Sequence, residues 1–283
     1  MPIIPLMKTK VFALLLNYNN YKDTIEAAQS LNNSDLGRDV QIVVIDNGAV
    51  DQHNLFTKKL PGAIYIKSRG NIGFAAGNNQ GIRYALEQMA THILIMNPDV
   101  RVPKVFIKPL LDSFKLHKQA GIIAPAHQEP GNPNFGLGGS IKWQNCSFPH
   151  KNVTVLPTKD QKFELLTFAC VLIKAEVFKK IGLLDERYFL YLEDVDYCVS
   201  VGNAGYELWL NPSVCVTHKT SSSFADNRGK IKFSFRSSFI FIKKWYHFPK
   251  NILPILHTLY FYPYTYLLWT LKLYKRKIIA YVQ

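Results

Sequence analysis

Short apolar runs alternate with helical patterns along the first 125 residues of the chain. The apolar runs have the length of strands, and the segments between them are long enough for helices. This alternation predicts an α/β fold with a mostly parallel central sheet flanked by helices. Strands are expected near residues 10–16, 40–46, 63–67, 92–97 and 121–125, and helices near 22–31, 73–90 and 104–118.

Polar side chains follow each of the first four predicted strands. The junctions read Asn17-Tyr18-Asn19, Asp46-Asn47-Gly48, Arg69-Gly70-Asn71 and Asn97-Pro98-Asp99. In an open α/β sheet, ligands bind outside the carboxyl ends of the strands. The four junctions therefore predict one composite binding site at this edge of the sheet.

The chain after residue 125 is less regular at first. Residues 126–160 are rich in Gly, Pro and Asn, which indicates loops with a hairpin around residues 138–143. The elements expected after this region are an apolar segment at 163–173, a short helix ending near Gly182, a helix through about Gly202 and two short strands reaching His218.

A glycine-rich segment joins the third predicted strand to the next helix. Gly70, Gly73 and Gly77 do not form a Gly-X-Gly-X-X-Gly pattern, and no Lys-Ser/Thr pair follows them. A dinucleotide-binding fingerprint and a P-loop are therefore poorly supported. Two interpretations remain open, namely a helix N-terminus that faces a phosphate and a tight turn with close helix packing.

Three polar positions are candidates for ligand binding, each with a structural alternative. Asp46 can accept hydrogen bonds from the edge of a nucleobase, or it can form only an Asx turn. Asp99, with Asn97 near it, offers oxygen ligands that suit Mg²⁺ or Mn²⁺ on a diphosphate, although Asn-Pro-Asp is also an ordinary turn sequence. His218 follows a predicted strand and is of interest as a further ligand beside Asp99.

An acidic cluster, Glu193-Asp194-Val195-Asp196, lies where a helix is expected to begin. Acids in a first turn commonly stabilise the helix dipole, which explains why an acid is present. It does not explain three acids directly after the aromatic run of residues 188–192. The cluster and the aromatic run together favour the wall of a sugar-binding site.

The C-terminal part differs in charge from the rest of the chain. The formal net charge is +14, and residues 227–283 contain 11 Lys and Arg and no Asp or Glu, so residues 1–226 carry only +3 (14 minus 11). Basic residues interleaved with Phe, Tyr and Trp favour an anionic membrane surface. A soluble helical cap and a true membrane span are the alternatives, and Pro254 and Pro263 weaken the span. The sequence thus predicts one domain at 1–226 and a helical, membrane-associating extension at 227–283.

Cysteine spacing and the N-terminus bear on the compartment. The four cysteines lie far apart without Cys-X-X-Cys pairs, which argues against a zinc module or a disulfide scaffold and favours a reducing cytosol. The apolar run at residues 11–16 is too short for a signal-peptide core and is read as the first strand. These features predict a cytoplasmic protein, peripheral at the inner face of the cell membrane.

A set of segments keeps the order and spacing of a known family. The segments are residues 14–19, 43–48, 71–79, 96–100, 182–186, 189–196 and His218. As a set covering about residues 10–220, they resemble glycosyltransferase family 2, with its GT-A fold, and especially its bacterial rhamnosyltransferase-like branch. Two positions depart from the family pattern: Asn97 stands where the metal motif often begins with Asp, and Phe168 stands where members often have Gly.

The resemblance implies roles for residues at the first three junctions. The donor, a nucleotide-diphosphate sugar, would be held by Asn17, Tyr18, Asp46, Asn71, Gly73 and Asn78. Within this set, Asn17, Tyr18 and Asp46 would border the nucleoside, and Asp46 would read the base.

The resemblance also implies the reacting groups. Asp99 would bind the Mg²⁺ or Mn²⁺ that bridges the diphosphate, with Asn97 beside it and His218 as the other protein ligand. Asp194 would be the general base, and Glu193 would help to hold the donor or the acceptor.

The implied activity is that of an inverting glycosyltransferase in bacterial cell-surface glycan synthesis. The sugar would pass from a nucleotide-diphosphate sugar, with dTDP-rhamnose favoured over a UDP-sugar, to a hydroxyl of a lipid-linked or polysaccharide acceptor such as a lipopolysaccharide precursor. One alternative is a catalytically inactive nucleotide-sugar-binding homologue, which Asn97 favours. A nucleic-acid-binding protein is a second alternative that the net charge suggests. It is disfavoured, and no nucleic-acid partner is expected, because the basic excess lies in the tail.

Overall fold

The computed structural model describes residues 9–219 and 227–282. Within these ranges the chain forms one mixed sheet with helices around it. The strands are β1 (Val11–Asn17), β2 (Gln41–Asp46), β3 (Ile64–Lys67), β4 (His92–Met96), β5 (Val100–Arg101), β6 (Ala120–Gln128), β7 (Phe135–Gly139), β8 (His150–Val153), β9 (Gln161–Phe163), β10 (Cys170–Lys174) and β11 (Glu207–His218). The helices are α1 (Tyr21–Asn32), α2 (His53–Lys59), α3 (Phe74–Glu87), α4 (Ile107–Leu116), α5 (Ala175–Ile181), α6 (Glu193–Asn203), α7 (Asn227–Trp245) and α8 (Ile252–Val282).

The strand order along the main path of the sheet is β3-β2-β1-β4-β10-β6-β11-β5. Strands β1 to β4 are parallel to one another, and β6 is parallel to β11. Strand β10 runs antiparallel between β4 and β6. The predicted α/β fold with a mostly parallel central sheet, flanking helices and a C-terminal helical extension is confirmed.

Both faces of the sheet are buried. In β1, Phe12 and Leu14 belong to the apolar core on one face, and Ala13 and Leu15 belong to the core on the other. A strand buried on both faces must be apolar at every position, which explains why β1 and β2 appear as continuous apolar runs. Helix α3 covers the face that carries Leu14, where its residue Ile82 is fully buried.

The predicted strands of the first 125 residues are confirmed as β1, β2, β3, β4 and β6. Helix α2 and the two-residue strand β5 were not predicted. The expected pair of short strands reaching His218 is wrong, because β11 is one strand with a register shift between Asn211 and Cys215. Pro212 lies within that shift and has no N–H to donate, so the ladder is interrupted without ending the strand.

Helix α7 packs against the α/β part of the chain. Its residues Phe241 and Ile242 are buried, as is Tyr246 just after the helix, and Phe241 contacts the rings of Trp143 and Phe148. Residue 226, the last of the predicted first domain, lies outside the described residues, as does residue 283.

Helix α8 packs on α7 and exposes much of its own apolar surface. Ser238 Oγ of α7 donates to Tyr262 Oη of α8 at 3.0 Å. The large side chains that α8 leaves exposed include Leu253, Leu256, Tyr260, Tyr264, Leu267 and Leu271. Within the described ranges, no helix combines the length and the hydropathy needed to cross a bilayer.

We expect Phe241→Ala to destabilise the protein strongly. Phe241 is 0% exposed, and truncating a buried Phe to Ala typically costs about 3–5 kcal/mol because it removes apolar contacts and leaves a cavity. Leu259→Ala is the control, since Leu259 lies on α8 and is 51% exposed; its effect should stay within about 0.5 kcal/mol. Urea unfolding measures both. Equal midpoints for the two variants would contradict the packing of α7 on the core.

Candidate functional site

The first two parallel strands end in a buried pair of polar side chains. Asn17 and Asp46 are register partners at the carboxyl ends of β1 and β2, and both are fully buried. Asn17 Nδ2 donates to Asp46 Oδ1 at 2.8 Å, while Asn17 Oδ1 accepts from Thr24 Oγ1 at 2.9 Å. Tyr18 follows directly and is 50% exposed. The structure therefore places Asn17 and Asp46 in the floor of this edge and Tyr18 on its rim.

The Asp46 carboxylate is already engaged on both oxygens. Oδ1 accepts from Asn17 Nδ2 and from the Gly48 amide at 2.9 Å, and Oδ2 accepts from Tyr65 Oη at 2.8 Å and Lys67 Nζ at 3.1 Å. Burial raises the pKa of Asp46, but these donors outweigh it and hold the pKa below its ordinary value. A carboxylate has about four acceptor positions. A nucleobase can therefore reach Asp46 only by displacing one of these donors.

The glycine-rich loop approaches another part of the chain very closely at Gly73. Its φ is +90°, and a Cβ there would lie 2.5 Å from the carbonyl oxygen of Phe189. The next amide, that of Phe74, donates to the same oxygen at 2.7 Å, and Asn71 Oδ1 accepts from the Gly73 amide at 3.1 Å. Only glycine fits this position, because a side chain would meet both strain and a clash. The loop is thereby joined to the segment that leads into α6.

Two buried amide oxygens beside this loop have no hydrogen-bond partner within the described residues. They are Oδ1 of Asn47 and Oδ1 of Asn78. Both side chains are anchored through their NH₂ groups, Asn47 to the Gly73 carbonyl at 3.0 Å and Asn78 to the Phe74 carbonyl at 3.0 Å. Buried acceptors without a donor are rare in folded proteins. Each oxygen therefore has an acceptor position that the described residues leave unfilled.

A carboxylate and an imidazole meet at the end of the fourth strand. Strand β5 pairs with β11 so that Val100 lies opposite His218, which brings His218 Nε2 to 3.3 Å from Asp99 Oδ1. Asp99 is 7% exposed, and its Oδ1 has no hydrogen-bond partner among the described residues. The preceding Asn97 is held through its backbone amide, which donates to the Ala169 carbonyl at 2.8 Å.

This pair fits the predicted divalent ion. An orphaned carboxylate oxygen beside an imidazole nitrogen offers two ligands of the kind Mn²⁺ and Mg²⁺ accept. Groups of three or more His, Cys, Asp or Glu that could hold a metal are absent from the described ranges. An ion at Asp99 and His218 would therefore need further oxygens from its substrate, as is common for Mg²⁺ bound to phosphates.

The two acids at the start of α6, Glu193 and Asp194, differ in their hydrogen-bond partners. Burial raises the pKa of Glu193 well above its ordinary value, with Asp194 as the second cause, and burial likewise raises the pKa of Asp194. Asp194 Oδ1 accepts from the Val195 amide at 2.8 Å, and the Phe168 amide also stabilises this carboxylate. Glu193 Oε2 has no partner among the described residues. The backbone donors at Asp194 therefore favour the ionised form of Asp194 over that of Glu193.

The backbone that leads into this pair is strained. Tyr191 and Leu192 have φ values of 68° and 67°, and neither is glycine. Each residue held in this left-handed region costs about 1–3 kcal/mol and persists only where the surrounding structure enforces it. This left-handed turn of the backbone directly precedes Glu193 and Asp194, which begin α6. Asp194 there lies close to the Phe168 amide.

Contacts join the predicted site residues into one region. Phe189 connects the Gly73 loop to the start of α6, and the segment Phe168-Ala169 contacts both Asp194 and Asn97. Asp196 lies apart from this region, because its carboxylate accepts from Lys244 Nζ at 2.7 Å. The predicted wall of three acids is therefore a pair of acids.

The role of Asn79 in shaping the site was not predicted from the sequence. Asn79 accepts from the Leu184 amide at 3.0 Å and donates to Glu186 Oε1 at 2.8 Å, which fixes the segment before Tyr188. Asn79 stood in a segment already singled out, but its partners lie more than 100 residues away in sequence. Phe168 turns into the core, where it contacts the ring of Tyr197 at 6.0 Å.

The sequence of the chain matches a known family and several curated relatives. The family model described as Glycosyl transferase family 2 matches residues 13–182. A low-salt glycan biosynthesis hexosyltransferase, Agl10 of Haloferax volcanii, is 30% identical over 168 residues, which are 56% of this chain and 52% of the relative. The chain thus spans about half the length of that relative. An N-acetylglucosaminyl-diphospho-decaprenol L-rhamnosyltransferase of Mycobacterium tuberculosis is 26% identical over 72% of this chain and 75% of its own length.

A solved structure supports the fold. The crystal structure of GalNAc-T7 with UDP, GalNAc and Mn²⁺ superposes with a TM-score of 0.62 at 14% identity, over 76% of this chain and 44% of that one. At such identity the likeness establishes the fold alone, which is the GT-A type. The family model, in contrast, covers more than half of the 283 residues. The protein therefore belongs to glycosyltransferase family 2.

Proposed function

We propose that the protein is an inverting glycosyltransferase that builds a bacterial cell-surface glycan. It moves a sugar from a nucleotide-diphosphate sugar to a hydroxyl of a lipid-linked or polysaccharide acceptor. The observation that carries the proposal is the set of contacts through Phe189 and Phe168-Ala169, which gather the Gly73 loop, Asn97 and Asp194 at one edge of the sheet. The transferred sugar is rhamnose, because the mycobacterial relative is a rhamnosyltransferase. The favoured donor is dTDP-rhamnose, and a UDP-sugar is the alternative.

The donor would lie across the carboxyl ends of β1 to β4. Asn17, Tyr18 and Asp46 border the nucleoside, and the orphaned oxygens of Asn47 and Asn78 accept hydrogen bonds from the nucleotide sugar. Asn71 and Gly73 shape the loop between them. The diphosphate would extend toward Asp99 and His218.

The reaction would displace the diphosphate from the anomeric carbon through a transition state of oxocarbenium character. Asp99 and His218 would hold a Mg²⁺ or Mn²⁺ ion, which would supply positive charge opposite the departing diphosphate. Asp194 accepts the proton of the acceptor hydroxyl, since its backbone donors favour its ionised form. Attack by one activated hydroxyl opposite the leaving group inverts the anomeric configuration. Glu193, in its protonated form, donates a hydrogen bond to the donor or the acceptor.

Helices α7 and α8 would associate with the inner face of the cell membrane. The exposed side chains of α8 at Leu253, Leu256, Tyr260, Leu267 and Leu271 recur at the spacing of one helix face. Lys and Arg without any Asp or Glu over residues 227–283 complement an anionic surface. An enzyme held there would meet a lipid-linked acceptor at the membrane.

Asp194→Asn should lower the rate of sugar transfer strongly, whereas Glu193→Gln should lower it little. Asp194→Asn removes the base, so the rate of transfer should fall about 100-fold or more. Glu193→Gln replaces a protonated carboxyl by a neutral amide of the same shape, so it should retain most of the activity. Transfer of labelled rhamnose from dTDP-rhamnose to a polyprenyl-diphosphate N-acetylglucosamine acceptor measures the rate. Donor binding, followed by calorimetry, should be nearly unchanged in Asp194→Asn.

The pH profile is the second readout for this pair. Transfer requires ionised Asp194, whose pKa is raised by burial, so kcat/KM should fall on acidification at a pH above the ordinary range of an aspartate. Glu193→Gln should keep this acidic limb. Loss of transfer in Glu193→Gln, with activity kept in Asp194→Asn, would reverse the two roles. No turnover by the wild type with any donor would support the inactive homologue instead.

Asp99→Asn should weaken Mn²⁺ binding, and Asn97→Asp should strengthen it. The first variant removes a charged ligand, and the second restores the acid with which the family's metal motif often begins. A bound ion raises the melting temperature by mass action, so Mn²⁺ titrations with dTDP present report affinity without turnover. The half-maximal Mn²⁺ concentration should rise about tenfold or more for Asp99→Asn, the equivalent of about 1.4 kcal/mol. Identical titrations for both variants and the wild type would refute this site.

Charges placed on the exposed face of α8 should release the protein from membranes. The test variant carries Leu256→Glu, Leu267→Glu and Leu271→Glu. Its control adds the same charge at three exposed apolar positions elsewhere, Val105→Glu, Leu116→Glu and Val155→Glu. Co-sedimentation with phosphatidylglycerol vesicles measures binding. The α8 variant should bind about tenfold more weakly or worse, because each buried apolar side chain contributes about 1.5–3 kcal/mol.

The control variant should sediment with the vesicles as the wild type does. If the α8 variant also sediments like the wild type, the α8 face does not bind membranes.

A further inference from the structure

Helix α7 contacts the segment that carries the acidic pair at three successive points. The ring of Phe233 stacks on Phe189 with centroids 5.2 Å apart. One helical turn later, Ser237 Oγ donates to the Leu190 carbonyl at 3.0 Å. Near the end of α7, Lys244 and Trp245 reach Asp196. The helix therefore runs along residues 189–196.

The third contact is a buried carboxylate with three donors. Asp196 is 2% exposed; its Oδ2 accepts from Lys244 Nζ at 2.7 Å, and its Oδ1 accepts from Trp245 Nε1 at 2.8 Å and from Tyr188 Oη at 3.3 Å. Lys244 Nζ also lies 3.3 Å from Asp185 Oδ2. Burial raises the pKa of Asp196, and the ammonium of Lys244 opposes this effect. A buried carboxylate of this kind depends on its partners to stay in place.

The N-cap residue of α6 makes no side-chain hydrogen bond to the start of the helix. This residue, Leu192, has an apolar side chain that cannot cap an amide, and its φ of 67° is strained. Strained backbone persists only where neighbouring structure enforces it. The contacts from α7 act on both sides of this strained point, at Leu190 before it and at Asp196 after it.

We propose that Lys244 and Trp245 are positioning residues for sugar transfer: by holding Asp196, they fix the first turn of α6 and thereby the carboxylate of Asp194. This inference rests on the proposed function, because it assigns the placement of the proposed base. It gives the basic helix α7 a role in the reaction that is separate from membrane association. The role belongs to Lys244 and not to its neighbour Lys243, whose side chain is exposed.

Lys244→Met and Lys243→Met form the test pair. Both remove one charge from the same helix, but only the first leaves Asp196 without its ammonium. Transfer is measured in detergent, without membranes, from dTDP-rhamnose to the polyprenyl-diphosphate acceptor. In Lys244→Met, kcat should fall about tenfold to a hundredfold, since small displacements of a catalytic group have effects of this size. The dissociation constant of dTDP, measured with Mn²⁺ present, should change by less than about twofold. A tenfold change in this constant would correspond to about 1.4 kcal/mol of binding free energy. Lys243→Met should match the wild type, and Lys244→Arg should restore part of the rate.

Hydrogen exchange provides a readout that does not depend on turnover. Amides of residues 190–197 should exchange faster in Lys244→Met than in Lys243→Met, because the hold on the strained turn is lost. Trp245→Phe is a second variant that removes one donor while keeping an aromatic ring, and it should show the same change to a smaller degree. It keeps the test decisive if Lys244→Met does not fold.

The outcomes separate this inference from the proposed function. Unchanged kcat in folded Lys244→Met or, failing that, in Trp245→Phe would overturn the positioning role while leaving the transferase intact. Equal loss of kcat in Lys243→Met would also overturn it, because charge alone would then explain the effect. If the wild type transfers no sugar from any nucleotide sugar, the proposed function fails together with the positioning role, and the exchange difference then reports only a structural brace.

Discussion

Burial of β1 and β2 on both faces decides where this protein can place polar groups. Every side chain between the ends of these strands must be apolar, since both faces of the sheet lie against packed cores. The first position at which a polar side chain no longer lies between two apolar cores is the carboxyl end of each strand. Parallel strands put those ends at one edge, so Asn17 and Asp46 become neighbours. The site is thus a direct consequence of how the sheet is covered.

At that edge and in the adjoining helix α6, the hydrogen-bond partners of each carboxylate distinguish structural acids from reactive ones. Asp46 and Asp196 have donors on both oxygens, which is how a folded protein stabilises buried charge. Asp99 Oδ1 and Glu193 Oε2 are buried and form no hydrogen bond among the described residues, although His218 Nε2 lies 3.3 Å from Asp99 Oδ1. An unpaired buried acceptor is costly, and its retention indicates a ligand or a proton that completes it. On this criterion Asp99 and the pair of Glu193 with Asp194 are the groups left free to act.

The sequence predicted those features that depend on neighbouring residues along the chain. The apolar runs predicted β1 to β4, and polar residues after them predicted the site edge. The partners of the acids could not be predicted in the same way. Lys244 lies 48 residues from Asp196 in sequence, and nothing distinguishes it from the other lysines of the basic C-terminal part. The continuity of strand β11 was also not predicted. A proline usually ends a β-ladder, whereas Pro212 lies at a register shift within one strand. Order and spacing identified the family, and the resemblance implied roles for Glu193 and Asp194, but nothing in the sequence indicated that Asp196 is paired with Lys244.

The acid-free composition of the tail has a consequence beyond attraction to anionic surfaces. A lysine in a surface helix commonly pairs with a carboxylate three or four residues away. Residues 227–283 offer no such carboxylate, so Lys244 has no partner on its own helix to compete with Asp185 and Asp196. The same absence of acids that suits a membrane surface therefore also directs Lys244 to the buried carboxylate beside the acidic pair. Since α8 rests on α7 through Ser238 and Tyr262, the face that α8 exposes and the first turn of α6 are connected by one packed helix.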